Sequence, residues 1–188
     1  MASFEDTYKR VMVNESGYAP AFGGSGETYK GIDRKYNPQW PGWGLIDAYK
    51  SAHGVPPRGF IITGSILENM VFTWYRDVYF APIIDVTKFQ SQALADFIAD
   101  FIVHKLYDAV RVINITASQI YSVTTASTTI TQSVINLILH DEKFFYTLLK
   151  RNRILYYTEP GQFGSKYKFS PPMITAFVNR VNTFPETV

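Results

Sequence analysis

The sequence predicts a mainly α-helical fold carrying one short glycine-rich hairpin after its first helix. Two patterns lead to that class. Apolar residues recur three and four apart through most of the chain, which is the period of one helix face, and strand or turn character is confined to residues 18 to 36. Composition supports it: in 188 residues, 46% are hydrophobic and 16% aromatic, enough for a core and too much for a disordered chain. The expected organisation is two halves, 1 to 86 and 87 to 188, packed as one unit.

The first helix is expected over residues 3 to 16. Ser3 is its N-cap with Asp6 three residues on, and Phe4, Tyr8, Val11 and Met12 share a stripe. Gly17 is read as the residue that stops it in a left-handed conformation. Residues 17 to 43 form a glycine-rich turn and an aromatic loop, with Thr28, Tyr29 and Ile32 in a short hairpin. Pro38 and Pro41 stiffen the loop that presents Trp40 and Trp43, which either stack on a ligand or cap the core.

A short helix is expected over 44 to 52 and a linker over 53 to 60. A strong helix follows over 64 to 80, with Ile66, Met70, Trp74 and Val78 on one face and Pro82 ending it. Residues 88 to 113 carry the longest helical pattern (Phe89, Ala93, Phe97, Phe101, Leu106 or Tyr107, Val110) and read as the most buried helix. The Thr/Ser run from 122 to 131 reads as a loop or helix entry. Helices at 131 to 139, 141 to 157 and 171 to 183 complete the chain, with Gly161 and Gly164 breaking the last two apart.

Charge and composition exclude several function classes. A net charge of +2 is too small for a nucleic-acid binder, so no nucleic-acid partner is expected. The charge is uneven, however: Lys143, Lys150, Arg151, Arg153, Lys166, Lys168 and Arg180 face only Asp141, Glu142 and Glu159 in the C-terminal part. That surface suits an anionic polymer or is simply a solvated face. Without cysteine there is no disulfide or thiol chemistry, and His53, His104 and His140 lack metal-ligand spacing. No metal and no cofactor are expected. No stretch has membrane-spanning length without charges, so no stable membrane insertion is expected, and the N-terminus has no basic-then-apolar leader pattern.

The candidate chemistry centres on Glu15 in Val13-Asn14-Glu15-Ser16-Gly17-Tyr18. In the last turn of the first helix, the negative end of the helix dipole would disfavour its ionised form, and burial beside Tyr18 or Phe22 would act in the same direction. A carboxyl kept protonated in this way donates a proton to a leaving oxygen. The alternative is an ordinary glutamate near a helix end.

Glu15-Ser16-Gly17-Tyr18, followed by Gly23-Gly24-Ser25-Gly26-Glu27-Thr28-Tyr29-Lys30-Gly31-Ile32, resembles the opening of glycoside hydrolase family 108. These are lysozyme-like muramidases of phages and prophages, some described as secretion activators. Tyr75-Arg76-Asp77-Val78-Tyr79-Phe80 is similar to the family's Tyr-x-x-x-Tyr-Trp helix. Asp100 to Val103, and Arg153 to Tyr157 with Phe163-Gly164, are similar to parts of its wall-associated half. The resemblance implies an α+β lysozyme-like fold and a peptidoglycan hydrolase of the endolysin type. Glu15 would be the general acid, and Glu27 or Thr28, 13 residues after Glu15, would position water or stabilise charge. Tyr18, Tyr29, Trp40 and Trp43 would form sugar subsites. The implied partners are the glycan strand of peptidoglycan and a holin or secretion pore, through which a protein made in the cytoplasm would reach the periplasm and cell wall.

Three departures accompany the resemblance. Ser16 stands where the family has the first glycine of a pair. His104 and Lys105 replace an Asn-Gly. The Thr/Ser run from Tyr121 to Thr129 replaces an Asp-Gly-x-x-Gly-Pro-x-Thr turn. They keep a second expectation open, a non-catalytic wall-binding or secretion-associated protein on the same scaffold.

Overall fold

Helices carry most of the chain, as the apolar periodicity predicts, and the described residues hold one sheet of three two-residue strands. The computed structural model describes residues 1–21, 26–122 and 128–188. It divides into two units, one formed by Tyr8–Pro82 and the other by Met1–Thr7 with Ile83–Val188.

Helix α1 (Phe4–Met12), whose part from Tyr8 onward belongs to the Tyr8–Pro82 unit, ends earlier than the sequence suggests. Ser3 does cap it, its hydroxyl accepting from the Asp6 amide at 3.4 Å. Gly17 is no left-handed helix stop. It is buried against the Gly59–Phe60 backbone, where a Cβ would lie 2.8 Å from the Gly59 carbonyl oxygen.

Strands β1 (Tyr18–Ala19), β2 (Thr28–Tyr29) and β3 (Ile32–Asp33) form an antiparallel meander. Tyr18 pairs with Tyr29, and Tyr29 with Ile32. The β2–β3 loop is therefore the two residues Lys30 and Gly31, with φ of 45° and 79°. Positive φ at both central residues is what a two-residue hairpin needs to match strand twist. Helices α2 (Gly42–His53) and α3 (Ser65–Thr73) follow, and α3 runs on into a wider π-helical turn, Trp74–Phe80. The helix expected over 64 to 80 thus changes its winding at Trp74.

In the other unit, α4 (Gln92–Tyr121) is the long helix, flanked by α5 (Gln132–His140) and α6 (Glu142–Thr158), with α7 (Pro171–Asn182) packed on α6. Their starts follow local chemistry. Ser91, Thr131 and Asp141 accept hydrogen bonds from the amides three residues on, at 3.1, 3.4 and 2.9 Å, and α7 opens on proline. Inside α4, Lys105 leaves helical geometry at φ −151°, ψ 60°. Of the two alternatives for the next stripe position, Leu106 is half-buried and Tyr107 is 80% exposed. Residues 123–127 of the Thr/Ser run, and Phe22, Gly23, Gly24 and Ser25 of the glycine-rich turn, lie outside the described residues.

The core of this unit contains charge. Asp100 is fully buried and accepts from Arg153 at 2.6 Å and from Arg180 at 2.8 Å, while the Arg153 guanidinium lies 4.6 Å from the Phe101 ring centroid. Burial alone would raise the Asp100 carboxyl, but Arg153 and Arg180 outweigh it and hold it below its ordinary value. Arg153 also donates to the Tyr157 hydroxyl at 3.0 Å, which leaves that hydroxyl's proton for His104 Nδ1 at 2.9 Å. Burial, reinforced by the charges of Arg180, Arg153 and Lys105, lowers His104 to about 3, so it is neutral.

An unfolded histidine takes up a proton below about 6.5 whereas folded His104 resists protonation down to about 3. The unfolded state therefore binds more protons in this window, and the stability held above pH 6.5 is lost progressively as pH falls through it. Urea unfolding at pH 7 and pH 4.5 should show a larger loss for the native protein than for His104→Gln. Equal losses would refute the assignment.

Candidate active site around the Lys30–Gly31 turn

Glu15 lies three residues past the last residue of α1, in a bend and not in the last helical turn. The helix-dipole argument for its pKa is thereby removed, because that field fades within the last turn. What places Glu15 is the hairpin loop. A Cβ built on Gly31 would meet Glu15 Oε2 at 2.7 Å and the Tyr75 hydroxyl at 2.5 Å. The carboxylate and the buried phenol therefore come together against Gly31, in the space that a side chain there would need. Gly31 is exposed and Glu15 half-buried, so this spot faces solvent.

Lys30 holds the turn. Its amide donates to the Gly17 carbonyl at 3.3 Å and its carbonyl accepts from the Tyr75 hydroxyl at 2.9 Å. Its ammonium pairs with Glu68, whose other oxygen accepts from the Tyr8 hydroxyl at 2.6 Å. Burial would raise Glu68, yet the bonds from Lys30 and Tyr8 outweigh it and keep the carboxylate below its ordinary value. Tyr75 shifts the other way. Burial, followed by the charge of Glu15, pushes its hydroxyl well above the ordinary tyrosine value, so it remains a proton donor.

The other sequence-predicted residues are placed differently. Glu27 accepts from Tyr18 at 2.9 Å and from Lys50 at 2.9 Å, and pairs with Arg34, which also grips Asp47 at 2.7 Å. Burial would raise Glu27, but Lys50, Arg34 and Tyr18 together hold it below its ordinary value. It is a carboxylate tying the hairpin to α2, unsuited to giving up a proton near neutral pH. Tyr18 and Tyr29 are core residues, the latter 1% exposed with its hydroxyl donating to the Ile62 carbonyl at 3.1 Å. Neither presents a ring for stacking on a sugar.

Trp40 and Trp43 are also buried and meet edge to face at 5.1 Å, and Trp43 donates to the Asn37 carbonyl at 2.8 Å. They cap the core, though Trp40 keeps one side toward a groove. Thr28 is half-buried on β2, opposite Asp33.

The sequence reading did not mention Glu68, placed Tyr8 only on a helix stripe, and noticed Lys30 and Tyr75 only within motifs. One local signal was available. Glu68 and Tyr75 are seven residues apart, two helical turns, and so share a face. Among the described residues, no group of three or more His, Asp or Glu could hold a metal ion, and no helix is long and apolar enough to cross a membrane. Compared with known proteins, the chain matches no family model, no curated protein and no solved structure.

Gly31→Ala should destabilise the protein by about 1–3 kcal/mol, since it combines a left-handed backbone with a collision against Glu15 and Tyr75. Chemical denaturation would measure it. A neutral effect would mean that Glu15 does not sit against this turn.

Proposed function

We propose that the protein is a glycoside hydrolase of the muramidase type, with Glu15 as general acid toward the glycan strand of peptidoglycan. The observation that carries this reading is the convergence of Glu15 Oε2 and the Tyr75 hydroxyl on the exposed Gly31 turn. Glycosidic cleavage needs a carboxyl able to reach the leaving oxygen and a second group that positions water or stabilises positive charge. Of the two glutamates on either side of the glycine-rich turn, Glu27 is committed to Lys50, Arg34 and Tyr18. Glu15, half-buried with its Oε2 against the exposed Gly31, is the proton donor in this reading.

Thr28 is the better candidate for the second role, since Glu27 is held by cations and Thr28 lies on the same hairpin two residues before the turn. Tyr75 acts as a positioning residue that braces the turn through the Lys30 carbonyl. The resemblance of residues 15 to 32 to family 108 supports the same assignment. Arrival at the wall through a holin or secretion pore belongs to this proposal as well.

The test is release of reducing ends from purified peptidoglycan. Glu15→Gln should lower the rate by about 10²–10⁴-fold with the fold intact by circular dichroism. Glu27→Gln should lower stability by about 1 kcal/mol, as expected for one partner lost from a partly exposed ion-pair network, and retain most of the activity. Unchanged release by Glu15→Gln would sink the proposal. Wall binding without release by the native protein would favour a binding role on this scaffold.

A further inference from the structure

A groove of about 750 Å³ runs along α3 and its π-helical continuation, facing the loop 36–41. Its floor and walls include Trp40, Met70 and Trp74, with Tyr36, Ile66 and Val78 at 75%, 64% and 58% exposure. It is separate from the Glu15 cluster. Ile66 and Glu68 stand about 200° apart around α3 at roughly 100° per residue, and neither Glu15, Gly31 nor Tyr75 lines the groove.

Three features define what it would hold. The size and apolar lining are those of a ligand site and not of a packing defect. No lining residue is charged; the polar members are the side-chain amides of Asn37, Gln39 and Asn69 and the hydroxyls of Thr73 and Tyr36. An ionic ligand would lose hydration there without gaining a counter-charge. Finally, Trp40 lines this wall while its indole N–H is buried with no hydrogen-bond partner among the described residues, a donor that a ligand's oxygen reaches only when the indole turns toward the groove.

We infer that this groove is a second, non-catalytic binding site for an uncharged N-acetylated glycan. Pyranose C–H faces lie against the indole, phenol and proline surfaces, and acetamido groups pair with the Asn and Gln amides. The choice of an N-acetylated sugar rests on the glycosidase reading of the Glu15 site; the groove's size and neutrality do not.

The experiment uses the full chain carrying Glu15→Gln, titrated with the N-acetylglucosamine tetramer and followed by the three tryptophan indole N–H signals in NMR. Trp40 and Trp74 should shift, while Trp43, bonded to Asn37 and outside the lining, moves least. Adding Ile66→Asp should weaken the dissociation constant read at those signals about tenfold or more, by placing an unpaired charge in the contact. Asn69→Leu should weaken it less. Both positions are exposed, so the fold should survive, and circular dichroism checks that.

Absence of shifts at Trp40 and Trp74, or shifts that persist unchanged in Ile66→Asp, would overturn the proposal. So would self-association abolished by Ile66→Asp without any sugar-dependent shift, which would give the groove to a second copy of the chain. The two readings fail separately. A native protein that releases no reducing ends but shows these shifts loses the glycosidase and keeps the groove; one that cleaves without them loses the groove alone.

Discussion

Two consecutive residues with positive φ, Lys30 and Gly31, are the constraint on which the Tyr8–Pro82 unit depends. Glycine adopts that conformation readily. For lysine it costs about 1–2 kcal/mol, so the conformation persists only because its surroundings fix it. Lys30 is fixed at three atoms, through Gly17 at its amide, Tyr75 at its carbonyl and Glu68 at its ammonium. The same turn leaves out a Cβ where Glu15 and Tyr75 come together. Hairpin geometry and the candidate site are therefore one requirement, and a change to either acts on both.

The hairpin's other side is held by charge. Glu27, Arg34, Asp47 and Lys50 link the strands to α2 at half-exposed positions, where individual pairs contribute little and a shared network contributes more. Its larger consequence is chemical, because it fixes Glu27 as an anion. The other unit inverts the design. Asp100 and Arg153 are wholly buried, so neither tolerates loss of the other; the Arg153 charge helps to keep His104 neutral, and that of Asp100 opposes it.

Much of this was legible wherever a signal is local. Asp141 and Thr131 start two helices through bonds within one turn and Pro171 starts a third through its fixed φ, and those helices appear within a residue or two of their expected bounds. The hairpin was legible too, since Thr28, Tyr29 and Ile32 flank a Lys-Gly pair. What stayed hidden depends on contacts distant in sequence. Tyr18 and Tyr29 look like ligand-facing aromatics until Glu27 and Ile62 are seen to satisfy their hydroxyls. Lys30 and Glu68 are 38 residues apart, and nothing near either one marks the partnership. The break at Lys105 carries no glycine or proline to announce it, and the choice between Leu106 and Tyr107, left open by the pattern, is decided only by the packed helix.

Helix α3 shows why an apolar stripe alone does not identify a core face. Leu67 and Val71 turn inward, Glu68 and Tyr75 serve the hairpin turn, and Ile66, Met70 and Val78 line the groove. In a straight α-helix, residues at four-residue steps drift by about 40° per step, which would carry Val78 away from Ile66. The π-helical turn at Trp74–Phe80 is wider, closing on the fifth residue, and slows that drift. Val78 is thereby kept on the groove side while Tyr75 still reaches the Lys30 carbonyl. Such turns are rare and concentrate at functional sites. Here the local unwinding has a definite geometric effect, since one helix supplies both the brace for Glu15 and a wall of the neutral groove.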